Sequence, residues 1–465
     1  MTTRKSGSRA DGPPSLTAAL AHHASAVRID ELPATVVERG RHCLLDWLGC
    51  SLAGSREPLS AILREEAASE GGSERATLVG SSERTGVQQA ALVNGAASHA
   101  LDFDDVAVAM TGHPSVPVWP AVLALGEARG ADGSDLLAAF VAGVEVECLA
   151  GLAVSPGHYR RGFHATGTLG TFGAAAGCAN LLALDPGRTA VALGIAGTAA
   201  AGLKCMFGTM CKPLHAGRAA ASGAQAATLA ERGFTAEPAV LEAHQGFAAT
   251  QTDSFEPERA LAAIGDGWQV EKVLFKHHAA CYETHSTIEA CRRLRPVDPG
   301  VIESVRIRVS PGHLDICNIE RPETGLQGKF SLRFCAALAL AGHDTGYHAF
   351  TDAAVRDPSV DALRARIAVE PADDLPPGHD SEVIVTSGDG ETRRESVDVH
   401  QPVPDAHLAH QWQRLADKFR ELARPLVGPA HAETLIEMVA DVERLPGARR
   451  LLDAARARTP EAASP

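Results

Sequence analysis

No two of the ten cysteines stand in a CxxC pair. Cys43, Cys50, Cys148, Cys178, Cys205, Cys211, Cys281, Cys291, Cys317 and Cys335 fall mostly inside apolar runs, which argues against a zinc site and a compact iron–sulfur ligand set. Reduced core thiols in a cytoplasmic protein are the expectation. Clusters of basic residues are missing too: 43 Lys and Arg stand against 57 Asp and Glu, for a net charge of −14. That balance excludes a nucleic-acid footprint and a polybasic membrane surface, so an anionic substrate needs a local basic pocket. The opening MTTRKSGSRADGPPS has neither an apolar h-region nor a cleavage site and reads as a disordered arm, not a signal peptide. Charge is absent from Ala165 to Leu184, a stretch of bilayer-spanning length. Its glycines, threonines and alanines leave few strongly apolar anchors, and Asp185 and Arg188 follow at once, so a buried helix is the better reading. The Gly173 to Gly177 spacing would let backbones approach closely.

What is present is an ordinary globular composition, 45% hydrophobic and 22% charged, in 465 residues. That length exceeds the roughly 250–300 residues of a single core, so two domains are expected. Apolar periodicity predicts helices over Ser15–Ala26, Leu32–Gly54, Gly86–Leu101, Val116–Arg129, Ser134–Leu152, Thr189–Leu203 and Ala216–Arg232. A helix that is small and apolar all round must be covered on every side, which implies a helical domain larger than a simple bundle. From about residue 270 the texture changes: VIESVRIRVS, SEVIVTSG and ESVDVH alternate as strands, while Lys329–Ala341 and Ser359–Ala368 are helical by period. The predicted fold is mainly α: an all-helical domain over 15–270 and a smaller α+β domain over 271–402. Arms of 1–14 and 458–465 flank them. The helical segment 403–457 either packs back on the first domain or stands beside the second.

Four stretches carry chemistry. In HALDFDDVAVAMTGHPSV, Asp102 and Asp105 would share a face of a helix or tight turn, with Asp104 pointing elsewhere and His113 nearby. The same aspartates could cap the next helix, or with the imidazole bind a divalent ion. In CMFGTMCKPLHAGRAA, Lys212, His215 and Arg218 surround Gly208 and Gly217, and Lys212 before Pro213 is expected to be extended, a presentation that suits a carboxylate. In FKHHAACYETHSTIEA, Lys276, His277, His278 and His285 lie close together, with His285 at a helix N-terminus where the dipole lowers an imidazole pKa. GHYRRGFHATGTLG offers His158, Tyr159, Arg160, Arg161 and His164 just ahead of the Gly-rich helix.

At these residues the sequence resembles the MmgE/PrpD family, which contains 2-methylcitrate dehydratase, cis-aconitate decarboxylase and iminodisuccinate epimerase. The resemblance runs from about residue 16 to 455. It is carried by HALDFDD with GHPS, GFHATGTLGTFGAAAG, FGTMCKPLHAGRAA, KHHAACYETHS and PETGLQGKFSLRF. It implies an all-helical domain built from the N-terminal part and the C-terminal tail, an inserted α+β domain, a homodimer, and a cofactor-free site between the domains. By likeness, the family's motif positions are matched by Asp102, His113, His164 and Lys212, and its further histidine by His285 or by the position of Cys281. Val106 stands where the decarboxylase and the epimerase carry Thr or Ser, while the texture around GHP and CYETH is nearer the epimerase.

The chemistry common to these reactions is a carbanion beside a carboxylate. A histidine can move the proton, and a lysine can stabilise the enediolate charge. The resulting expectation gives His113 and His285 as the acid/base pair, Lys212 as carboxylate clamp and Asp102 as orienter or proton donor. His164, His215, Tyr159 and Lys204 are the expected substrate contacts, with no metal. Dehydration of a hydroxy-polycarboxylate such as 2-methylcitrate is the first reading. Epimerisation of an amino- or imino-dicarboxylate, decarboxylation of a cis-aconitate-like acid, and a non-enzymatic assembly role are the alternatives.

Overall fold

The computed structural model describes residues 15–295, 299–376 and 378–457; the expected arms at 1–14 and 458–465 lie outside the described residues. The fold is mainly α with a smaller α+β part. The helices that frame the site are α1 (Leu16–Ala26), α2 (Ala34–Gly54), α3 (Val87–His99), α4 (Ser115–Arg129), α5 (Gly133–Val154), α6 (Ala165–Leu181), α7 (Pro186–Ala199) and α8 (Cys211–Glu231), with a further helix, Pro58–Glu70, between α2 and α3. After them come α9 (His285–Leu294), α10 (Leu332–Ala341), α11 (Leu408–Val427) and α12 (Pro429–Ala440). Polar side chains set several starts: Ser15 accepts from the Ala18 N–H, Asp132 from Asp135 and Asp185 from Arg188.

Small residues bring the central helices together. A Cβ on Gly177 of α6 would lie 2.8 Å from the Ala139 carbonyl of α5, and one on Gly223 of α8 would lie 2.4 Å from the Ala174 Cβ of α6. The charge-free segment is thus an interior helix, as expected. Its neighbour α5 is also long and apolar enough to cross a membrane, and it is covered by other helices over almost its whole length. The C-terminal helix α11 packs along α2, where Lys418 of α11 pairs with Asp46 of α2 in the interior.

The α+β part holds a four-stranded sheet in the order β2-β1-β3-β4, with β1 Ile302–Val309, β2 Ile367–Pro371, β3 His379–Ser387 and β4 Thr392–Asp398. β1 pairs parallel with β2 (Val305 opposite Ile367) and antiparallel with β3 (Ile307 opposite Val383). The helix expected over Ser359–Ala368 is shorter, Pro358–Arg364, because Ile367 already belongs to β2. A parallel pair needs a long crossover, and α10 lies within the one that joins β1 to β2.

Two further boundaries bear on the site. Helix α8 starts at Cys211, so Lys212 lies in its first turn instead of in extended chain. Pro213 is tolerated there because its missing N–H would have had no partner in the helix. Helix α10 starts at Leu332 with Ser331 as its cap, which leaves Lys329 in the preceding turn.

Candidate active site

Helix α3 ends at His99, and the chain beyond it bends through Asp102 in the left-handed region (φ 52°) before Val106 pairs by backbone with Leu274. Asp is among the few non-glycine residues that tolerate this conformation. The turn puts the Asp102 carboxylate between two ammonium groups: Oδ1 is 2.6 Å from Lys276 Nζ and Oδ2 is 2.7 Å from Lys212 Nζ. Burial pushes this carboxyl up, but Lys212 and Lys276 outweigh it and hold the group well below the usual carboxylate range.

Asp104 bridges two imidazoles, 2.9 Å from His99 Nδ1 and 2.8 Å from His113 Nδ1. His113 Nδ1 also faces the Asp105 carbonyl at 3.0 Å. Both neighbours are acceptors, so Nδ1 carries the proton and Nε2 keeps its lone pair, 3.7 Å from Asp102 Oδ1. Burial lowers the His113 pKa to about 4 despite Asp104, so the free ring is neutral. Asp105 takes the plainer role: its carboxyl group accepts from the Ser115 N–H and hydroxyl at the start of α4. The aspartates that face the histidine are therefore Asp102 and Asp104, not the pair Asp102 and Asp105 that helical spacing suggests.

His164 stacks on His99 (ring centroids 5.9 Å apart) and its Nδ1 lies 3.0 Å from Nδ1 of His215, so one ring donates and the other accepts. Burial lowers both, His215 to about 4. Asp102, His113, Lys212, His164 and His215 are thus brought into one connected group by α3, α4, α6 and α8. Tyr159 and Lys204 form a pair of their own, with Lys204 Nζ 3.8 Å above the Tyr159 ring.

His285 is placed elsewhere. It opens α9 with its ring against His278 and Tyr282 and its Nε2 3.3 Å from the Ala280 carbonyl. It lines a cavity of about 270 Å³ that Asp102, His113 and Lys212 do not line. Its pKa is lowered, with burial as the main cause and nearby His278 and Lys276 adding to it. The acid/base pairing of His113 with His285 thus has no contact to support it among the described residues.

Sequence reasoning named Lys276 and Asp104 without giving either a role in the site, and passed over His99 and Lys329. Lys276 follows Leu274 and Phe275, and Lys329 lies between Gly328 and Phe330, and both are buried; a lysine that such neighbours carry into the interior has to be paired. His99, Asp102, Asp104 and His113 could each turn one ligand atom toward a common point, all within 4.8 Å of one another. Both Asp102 oxygens already face ammonium groups, so a cation would have to displace Lys212 and Lys276. The donor set favours an anion.

Residues 18–260 match the MmgE/PrpD N-terminal domain and residues 278–444 the MmgE/PrpD C-terminal domain. The chain is 28% identical to the cis-aconitate decarboxylase-like protein oryM of Aspergillus oryzae, over 92% of this chain and 96% of that protein. It is 28% identical to cis-aconitate decarboxylase of Homo sapiens, covering 93% and 92% of the two chains. Against cis-aconitate decarboxylase of Aspergillus terreus the identity is 26%, over 94% of this chain and 95% of the other. Two ammonium groups on one buried carboxylate, a neutral imidazole facing it, and matches to both domains lead to one conclusion: the chain belongs to the MmgE/PrpD family.

Proposed function

We propose that the chain is a lyase that decarboxylates a cis-aconitate-like tricarboxylate through acid–base chemistry of its own side chains. The observation that carries this reading is the buried Asp102–Lys212–Lys276 group with the free Nε2 of His113 turned toward it. The decarboxylase names of the relatives favour it over the dehydration expected from the sequence. In the proposed step the bond from a CH₂ carbon to its carboxylate breaks and CO₂ leaves. The bond's electron pair becomes a new C=C bond, and the old π pair moves to the carbon beside another carboxylate. Lys212 and Lys276 stabilise the resulting dienolate.

A proton then closes the step at that carbon. His113 supplies it, because an entering polyanion places negative charge beside a ring otherwise held neutral and raises its proton affinity. The step moves a single proton, so it needs no second acid/base group in the place expected of His285, and Lys212 serves as the charge-stabilising cation. Val106 presents no hydroxyl and is engaged by its backbone to Leu274, so substrate contacts come from the ammonium and imidazole groups. Tyr159 and Lys204 are assigned to substrate binding within the same reading. A homodimer and a cytoplasmic location go with it, supported by the family likeness and by ten cysteines all free as thiols.

The test is a proton NMR time course in D₂O with cis-aconitate, citrate, methylcitrate and iminodisuccinate. Loss of CO₂ from cis-aconitate with a new terminal alkene and one deuterium at the adjacent carbon is expected. Lys212→Met should slow it about 10²- to 10³-fold. Alkene formation from methylcitrate, or deuterium exchange without a new alkene, would replace the decarboxylase with a dehydratase or an epimerase.

A further inference from the structure

Beyond the reacting groups, the backbone of the Asp102 turn shows a repeated feature. Helix α3 ends at His99, so the carbonyls that follow have no helical partners. Three successive ones are each met by a buried lysine from a different part of the chain. Lys329, in the α+β part, donates to the Leu101 carbonyl. Lys276, ahead of α9, donates to the Asp102 carbonyl at 2.8 Å as well as to its carboxylate. Lys418, on α11, donates to the Phe103 carbonyl at 2.5 Å.

Lys418 does more than cap one group. Its other protons reach Asp46 Oδ1 of α2 at 2.7 Å and the Lys276 carbonyl at 3.0 Å, and its ammonium lies 3.8 Å from the Phe103 ring centroid. One ammonium therefore ties the turn carrying Asp102 to the segment carrying Lys276, the two groups that meet at 2.6 Å in the site. An ammonium suits this task because three donors diverge from one atom.

We propose that Lys418 and Lys329 are positioning residues: with Lys276 they clamp the carbonyls of residues 101–103, hold Asp102 in its left-handed conformation and so aim its carboxylate between Lys212 and Lys276. Neither needs to touch substrate. The site is thus assembled only when α11 and the turn before α10 are docked against α3. The catalytic part of this inference rests on the proposed reaction, whereas the clamp itself does not.

The experiment pairs Lys418→Met with Asp46→Asn, so that no carboxylate is left unpaired in the interior, and uses Lys329→Met as an independent second variant. Amide hydrogen exchange is followed by mass spectrometry, alongside steady-state kinetics on cis-aconitate. The amides of Asp102, Val106 and Leu274 should exchange about tenfold faster or more in each variant while those of α5 are unchanged. Turnover should fall about tenfold or more with KM moved less than about threefold, the sign of lost alignment instead of lost binding. Unchanged exchange at Asp102 and Val106 overturns the clamp. Faster exchange with unchanged kcat overturns its role in aligning the site. If the wild-type protein leaves cis-aconitate untouched, the proposed reaction fails while exchange still decides the clamp.

Discussion

Asp102, Asp104 and Asp105 lie within four positions, yet their surroundings give them different charge states. Asp104, between His99 and His113, is held well below the usual carboxylate range although burial opposes it. Asp105 has no cation beside it to match those of Asp102: its partners are the Ser115 donors and the Cys43 thiol, and burial, reinforced by Asp46 and Asp104, pushes its carboxyl up to about 8. The folded state keeps the Asp105 proton at neutral pH, whereas the unfolded chain releases it near 3.8. Its contribution to stability is therefore full below pH 3.8 and is lost as pH rises toward 8. The slope of that loss is about 1.4 kcal/mol per pH unit. Asp105→Asn mimics the protonated form, so wild type should lose ground to it with that slope from pH 5 to about 8 and no further above. Urea unfolding of both proteins across that range checks the sign, and a level difference would mean that Asp105 is ionised at neutral pH. The sequence shows three acids and a histidine as a proton-transfer wall, but which acid does which task depends on Lys212, Lys276 and Ser115, residues up to 174 positions away.

At the scale of elements, the site depends on how closely α3 and α8 cross, since one leads into the Asp102 turn and the other begins with Lys212. A Cβ on Gly95 of α3 would lie 2.8 Å from Gly217 Cα of α8, and one on Gly217 would lie 2.2 Å from the Leu92 carbonyl. Backbone cannot yield as a flexible side chain can. Gly217→Ala should therefore force the helices apart, destabilise the fold by about 1–3 kcal/mol and reduce turnover by lengthening the Lys212–Asp102 contact. Gly312→Ala, where a Cβ would meet nothing within 4 Å, is the neutral control. Urea titration and kinetics on both variants test this, and an equally stable, equally active Gly217→Ala would show that the crossing has slack. Helices such as α2, α5 and α6 are legible from period and small-residue content because their burial is written along one segment. β2 was not: its first residues, Ile367 and Ala368, fall at the end of the helical pattern read over Ser359–Ala368, and pairing with Val305–Val309 of β1 makes Ile367–Pro371 a strand.

At the scale of the whole molecule, the helical part and the α+β part share apolar surface. Cys50 and Ala53 of α2, Leu101 and Phe103 of the Asp102 turn, and Leu422 of α11 belong to the same buried cluster as the sheet residues Val305, Ile307 and Val383. The candidate site draws Asp102, His113 and Lys212 from the first part and Lys276 from between the two, while Lys329 of the second part donates to the Leu101 carbonyl of the turn that carries Asp102. A bound tricarboxylate should accordingly stabilise both parts in one transition, by about 2.7 kcal/mol at a hundredfold excess over Kd. Calorimetry with and without cis-aconitate checks this, and two transitions of which only one responds would contradict it. The amino-acid sequence by itself determined the mainly α architecture, the buried character of the charge-free helix, the family, and Asp102, His113, His164 and Lys212 as candidates. These follow from local periodicity, composition and short motifs. Only the tertiary structure decided that His285 lines a separate cavity, that Asp104 links two imidazoles, and that Lys276, Lys329 and Lys418 converge on one turn. Those facts depend on contacts between distant segments in a dry interior, where each buried charge must find its partner wherever the fold brings one.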